Sequence, residues 1–260
     1  MPTSVKNVVT SFTEEGYLRY GASFVSSFLE FWPRDIRLTV YYEGTDFPIS
    51  PRINWVPIER VKHHDEFMSK LRFPLMTGHI GGGRYDIDYD ARMGRKAFIQ
   101  MHSMREFGGK VFWIDADVVT FAPVPVDFLD RCLPDEKFNC HLGRDGWYFT
   151  ESGFIGFNAD HPIAEDFARR YLNTFLSGVV FTLRGWHDCF VFDAVRQSFG
   201  NPEPFANLAA HLPHGTMHPF VNCELGRYMD HRKGAHKESR SAASDLVVER
   251  HESYWIHSER

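Results

Sequence analysis

The sequence predicts an α/β fold, a mostly parallel central sheet with helices on both faces, and three observations carry that prediction. Short β-rich apolar runs alternate along the chain with stretches of helical periodicity. Hydrophobic residues make up 43% of the 260 residues, enough for a substantial core. The most continuous apolar run, VFWI at 111–114, ends on the carboxylate pair Asp115 and Asp117. Sheets of this kind bind ligands beyond the carboxyl ends of their strands, so the third observation also says where a site should lie.

Taken in order, KNVVTSF (6–12) is the first strand, and Thr13 is placed to cap a helix whose apolar face runs Leu18, Ala22, Val25 and Leu29. Trp32-Pro33 stops that helix. IRLTVYY (36–42) and INWVPI (53–58) are further strands bounded by turn residues. The polar, glycine-rich stretch from Met76, MTGHIGGGRYDIDYDARMGRK, reads as a loop with the character of a lid. It leads into a helix presenting Ala97, Met101, Met104 and Phe107, ended by Gly108-Gly109. VFWIDADVVTF (111–121) follows as a strand. FNCHL (138–142) and GFIGFN (153–158) are strands, and Pro162–Leu176 and Trp186–Phe199 are helices. With no repeat or low-complexity tract, residues 1–260 read as one domain. The segment 221–260 is expected to complete its site, and truncation before Arg227 to leave a folded but inactive core.

Bulk properties exclude several classes. A formal net charge of −5 argues against a protein that coats nucleic acid through overall charge. Cys132, Cys140, Cys189 and Cys223 are scattered, with no C-x-x-C pair, which points to reduced thiols rather than a zinc site or a disulfide framework. The N-terminus lacks a signal-peptide core, and no apolar run approaches the roughly 18 residues a membrane span needs. A soluble, cytoplasmic protein is the expectation.

Asp115 and Asp117 are one residue apart, so on an extended strand both side chains point to one side and converge at its end. Two carboxylates so placed call for a cation. The same D-x-D spacing occurs at Asp86-Ile87-Asp88 and Asp88-Tyr89-Asp90, but those lie in the polar glycine-rich stretch and not behind an apolar strand.

The run KAFIQMHSMREFGGKVFWIDADVVTF resembles the helix and D-x-D strand of GT-A glycosyltransferases, above all glycosyltransferase family 8. Near the C-terminus, His231-Arg232-Lys233-Gly234-Ala235-His236-Lys237 resembles that family's H-x-x-G-x-x-K pattern, although Glu238-Ser239 follows where the family has Pro-Trp. The resemblance implies a GT-A fold and a metal, Mn²⁺ or Mg²⁺, held by Asp115, Asp117 and His231, with Ala116 between the carboxylates. The metal would grip the diphosphate of a nucleotide sugar, UDP-linked by the same resemblance. Gly234 would let backbone approach phosphate, and Lys237 would neutralise charge on the departing diphosphate. Family 8 further implies a hexosyltransferase that retains anomeric configuration.

Other positions follow from the same resemblance. ESGFIGFNADHP (151–162) resembles the GT-A segment lining the acceptor side, so Glu151 and Ser152, beside Gly153, would face the pocket mouth and hold sugar hydroxyls. Trp186, His187 and Asp188 open a helix where such enzymes place a carboxylate near the donor sugar, and Asp188 is the candidate for stabilising its oxocarbenium-like centre. Thr10, Ser11 and Phe12 end the first strand, where the base and ribose would bind. Arg92 and Lys96, one helical turn apart, would meet the diphosphate or ribose. The acceptor would be a hydroxyl of a glycan, a lipid-linked saccharide or a modified DNA base. The cations Arg227, Arg232, Lys233, Lys237 and Arg240, against Asp230 and Glu238, suggest an anionic one.

Two other classes compete. FWIDADVVT also resembles the first motif of haloacid dehalogenase-like phosphatases, with Asp115 as nucleophile, but it lies 110 residues in and no later acidic strand end completes that set. A non-catalytic sugar-binding module would need no metal-diphosphate machinery.

Overall fold

The computed structural model describes residues 6–44, 50–71, 87–144, 149–183, 185–234 and 241–258, with the side chains of 70–71, 87–92 and Phe181 excepted. In chain order its elements are β1 (Lys6–Thr13), α1 (Glu14–Gly16), α2 (Ala22–Phe31), β2 (Arg37–Glu43), β3 (Ile53–Pro57), α3 (His64–Leu71) and α4 (Ile87–Phe107). Then come β4 (Lys110–Ile114), β5 (Val118–Thr120), α5 (Phe128–Cys132), β6 (Asn139–Leu142), β7 (Glu151–Asn158), α6 (Ala164–Leu176) and α7 (Asp188–Gln197). β8 (Phe205–Asn207), α8 (Pro219–Asn222), β9 (Met229–His231) and α9 (Ser253–His257) complete the chain. The main sheet has seven strands in the order β3-β2-β1-β4-β7-β6-β8. β7 alone runs antiparallel to its neighbours β4 and β6, and every other pair in the sheet is parallel. The expected mostly parallel α/β sheet is present.

Period-two alternation assigns the strand residues to two cores. Val8 and Phe112 face one side with Phe24 and Phe28 of α2, and with Phe220, Met229 and Trp255 from the C-terminal part of the chain. Val9, Val111 and Trp113 face the other, against Met101 of α4, Phe167 of α6 and Phe192 of α7. Met229, Ala242, Ala243 and Trp255, all beyond Arg227, share the first core with β1 and β4, which argues against a folded core after truncation before Arg227. Among the described residues no helix is long and apolar enough to cross a membrane.

Several local expectations are corrected. Thr13 does cap, accepting from Gly16 N at 3.1 Å. A π-helical turn over Tyr17–Gly21 then widens the spiral and shifts its phase, so Leu18 is 76% exposed, Ala22 is exposed, and Phe24, Val25, Ser27 and Phe28 form the buried face. Residues 87–90 belong to α4 rather than to a loop, while most of the proposed lid, including Gly81-Gly82-Gly83, lies outside the described residues. Gly108 and Gly109 end α4 with φ of 63° and 58°, a left-handed backbone that side-chain-bearing residues avoid.

Candidate metal centre and its surroundings

The strand carrying the carboxylate pair ends earlier than the sequence suggests. β4 stops at Ile114, and Asp115–Asp117 form a turn closed by Val118 N donating to Asp115 O at 3.1 Å. Convergence of the two carboxylates therefore comes from the turn and not from the pleat of an extended strand. The chain leaves the turn as β5, which belongs to a separate two-stranded sheet with β9. α2 and the residue that ends it pin β5: Ser27 Oγ accepts from Thr120 N at 3.1 Å, and Trp32 Nε1 donates to Thr120 Oγ1 at 3.0 Å.

The antiparallel register of β5 and β9 sets His231 opposite Val118, and Arg232 N donates to Asp117 O at 3.1 Å. His231 Nε2 consequently lies 3.3 Å from Asp117 Oδ1 and 3.7 Å from Asp115 Oδ2. One ligand atom from each of Asp115, Asp117 and His231 lies within 4.8 Å of the others. Two carboxylate oxygens and an imidazole nitrogen suit Mn²⁺ or Mg²⁺, so the residues fit such an ion. Burial opposes charge on the imidazole, but Asp117, and Glu151 beyond it, outweigh burial and push its pKa up to about 10.

Lys96 is buried beneath the turn. Its ammonium donates to Asp115 Oδ1 at 2.7 Å and to Ser152 O and Oγ at 2.7 and 3.1 Å, and it lies 3.3 Å from Asp188 Oδ2 and 5.2 Å from the centre of the Trp113 ring. Burial alone would lower its pKa, but Asp115 and Asp188 hold it above the ordinary lysine range. Trp113 Nε1 donates to the same Asp115 Oδ1 at 2.6 Å, so Asp115 Oδ2 is the oxygen left facing His231. Lys96 thus joins the carboxylate turn to the first residue of α7. Asp188 itself is 2% exposed and pairs with this lysine, and α7 has no side-chain cap.

The expectation for Glu151 is corrected. Instead of facing a pocket mouth it is 3% exposed behind the histidine, with Oε1 2.9 Å from His231 Nδ1, because the His231 ring packs onto β7 at Gly153. Its other partners are Lys233 Nζ at 3.2 Å, His218 Nε2 at 3.1 Å, Phe220 N at 3.2 Å and Arg144 at 3.5 Å. Burial would raise its pKa, but His218, His231 and Lys233 hold the carboxyl well below the usual range. Gly153 adopts an ordinary φ, and what it supplies is space: a Cβ there would come within 2.5 Å of His231 Cε1.

Phe12 is 5% exposed and packs edge-on against Trp55, with the Tyr17 ring centre 5.6 Å away, so its ring is a core group at the end of β1. Thr10 is fully buried with its Oγ1 unpartnered, and Ser11 is half-buried. Trp186 and His187 are half-buried before α7, Trp186 against the second core. Gly234 has φ 63° and open space around it. The side chain of Arg92 and the whole of Lys237 lie outside the described residues. Sequence reasoning missed Trp113, His218 and Asp245 in this region, and it read Lys233 as an acceptor-facing cation, whereas its ammonium donates to Glu151.

No protein-family model matches the chain, and no curated protein matches it in sequence. Among solved structures it is similar to mouse xyloside xylosyltransferase 1 in its apo form, with a TM-score of 0.50 at 13% identity over 78% of this chain and 85% of that one. It is also similar to the apo WbbM bifunctional glycosyltransferase, with a TM-score of 0.49 at 12% identity, where 80% of this chain spans only 39% of the other. The sheet order and the first of these likenesses establish a GT-A fold.

Proposed function

We propose that this chain is a metal-dependent glycosyltransferase that moves a sugar from a nucleotide-sugar donor, UDP-linked by resemblance, to a hydroxyl acceptor with retention of configuration. One observation carries the reading: the β5–β9 ladder brings His231 from the far end of the chain to within 3.3 Å of Asp117 at the turn after β4. A phosphatase with Asp115 as nucleophile gives that histidine no task. Asp115, Asp117 and His231 would hold Mn²⁺ or Mg²⁺, which when bound supplies positive charge to the diphosphate leaving group. Lys96 and Trp113 hold Asp115 with one oxygen turned toward the site, which fixes its orientation in advance. Asp188, Ser152 and the turn share Lys96, so we place the donor sugar beside them, and we assign Gly234 and Lys237 to the phosphates. The whole chain acts as one GT-A domain in this reading, with 221–260 completing the donor site.

The test is nucleotide release from a panel of nucleotide sugars with Mn²⁺, for the wild type and for Asp115→Asn and Asp117→Asn. Both substitutions should lower turnover at least about 100-fold, as expected for loss of preorganised charge stabilisation. Full turnover in excess EDTA would overturn the metal, and failure of every donor would overturn the reaction class.

A further inference from the structure

We propose that Glu151 is the positioning residue of the metal centre, fixing His231 so that its Nε2 lone pair faces Asp115 and Asp117. The inference rests on the reading of those three residues as metal ligands, and its substance is the opposite edge of the imidazole. An imidazole that gives up one proton to bind an ion keeps one N–H and one lone pair, and the partner of the first decides where the second points. Glu151 Oε1 lies 2.9 Å from His231 Nδ1, which places the N–H on Nδ1 and leaves Nε2 for the ion.

Glu151 is itself held rigidly. Phe220 N donates to Oε2 at 3.2 Å and Lys233 Nζ to Oε1 at 3.2 Å. His218 Nε2 sits 3.1 Å from Oε1, and the other nitrogen of His218 lies 2.8 Å from Asp245 Oδ2. A line of groups thus runs from Asp245 through His218 and Glu151 to His231, and its outer members belong to the C-terminal part of the chain. Gly153 completes the fit by leaving room for the ring.

Glu151, His218 and His231 could also be read as a second metal cluster, since their ligand atoms lie within 4.8 Å of one another. Three observations disfavour that. The Lys233 ammonium and the Arg144 guanidinium, 3.2 and 3.5 Å from the carboxylate, would repel a second cation. A backbone N–H already takes Oε2. His231 Nδ1 is engaged by the carboxylate it would have to leave.

The test is Mn²⁺ binding to the full chain, followed by electron paramagnetic resonance titration and by the ¹⁴N spin-echo modulation that a directly bound histidine imposes on Mn²⁺. Wild type should show the ¹⁴N signature and His231→Ala should lose it. Glu151→Ala should weaken Mn²⁺ about 10- to 100-fold, the range for loss of a group that orients a ligand, and should lose or diminish the signature. Glu151→Gln, whose amide oxygen still accepts from Nδ1–H, should recover most of the affinity. Thermal melting without metal checks folding. Should the alanine variant not fold, Glu151→Asp keeps the charge but withdraws the oxygen from Nδ1, and it should show the same loss. Either folded variant binding Mn²⁺ within about twofold of wild type, with the ¹⁴N signature intact, overturns the role of Glu151 while leaving the three ligands standing. A wild type that binds no Mn²⁺ overturns both.

Discussion

Lys96 shows how a charge that the sequence offers to a ligand becomes part of the framework instead. Its ammonium is shared among Asp115, Asp188 and Ser152, with 8% of the residue exposed. Lys96→Met should therefore strand two carboxylates, and removing one partner of a buried pair costs about 3–5 kcal/mol. Asp115 is 28% exposed, which puts the expected loss at the lower end. Urea unfolding should show a lower midpoint for Lys96→Met and partial recovery in the double variant with Asp188→Asn. An unshifted midpoint would mean that the carboxylates find other partners. His141 makes a different residue-scale case, because burial, with Arg196 nearby, pushes its imidazole down to about 3. In the unfolded chain the group titrates near 6.5, so between these values only the unfolded state binds the proton. The stability this contributes is complete above about pH 6.5 and falls with pH by about 1.4 kcal/mol per unit through that window. His141→Gln keeps an amide to meet Asn139 and should flatten this slope. Urea curves at pH 7 and pH 5 with the same difference for both proteins would refute the assignment.

At the scale of elements, the short β5–β9 pair matters out of proportion to its length. It is braced by Phe121 N donating to Tyr228 O at 2.8 Å, by Phe121 stacked on Tyr254 at 4.1 Å between ring centres, and by Trp255 Nε1 donating to Gly226 O at 2.6 Å. Tyr254 and Ala242 N both donate to the Asp230 carboxylate, which ties the last residues to β9. A chain ending at Arg227 loses Met229, Ala242, Ala243 and Trp255 from the first core. It should accordingly behave as a loosely packed species that binds a hydrophobic dye and lacks a cooperative melt. A sharp melt near that of the full chain would restore the expectation of a core that folds without the residues beyond Arg227. The same element explains what was legible beforehand. Strands with strong apolar runs, such as VFWI and GFIGFN, and helices with clear periodicity announced themselves through burial of one face. β8 and β9, each three residues long, owe their conformation to partners distant in the chain and carry no local pattern, while β5 reads in the sequence as a continuation of β4. The pairing of Asp117 with His231 was reachable only through family resemblance, because that contact is made by a ladder. Glu151 was misplaced for the same reason, since its position on β7 was readable while the strand segment covering it was not.

At the scale of the whole molecule, the question is whether a protein with net charge −5 presents a positive face to its acceptor. The sequence suggested one from Arg227, Arg232, Lys233, Lys237 and Arg240, but the structure commits two of these inward. Arg232 donates to Tyr254 Oη at 3.1 Å and lies 3.6 Å from Asp230, and Lys233 donates to Glu151. Burial lowers the pKa of Lys233, with Glu151 opposing, which marks it as a group drawn out of solvent rather than one projecting a field. Cations held by internal carboxylates contribute little net potential at a distance, and the phosphates of a donor would claim Lys237 in the proposed function. Among the described residues of that set, only Arg227 stays exposed, which leaves little surplus there for an anionic acceptor. Transfer to the acceptor and hydrolysis of the donor alone should then share a shallow dependence on ionic strength, since exposed charges are screened within about 10 Å at 0.1 M salt and few are available to be screened. Rates for both reactions between roughly 50 and 200 mM salt decide the matter, that being the range over which binding through several phosphate contacts collapses. Transfer that falls steeply while hydrolysis holds would return an acidic glycan or DNA to first place among acceptors, and parallel curves favour a neutral sugar hydroxyl.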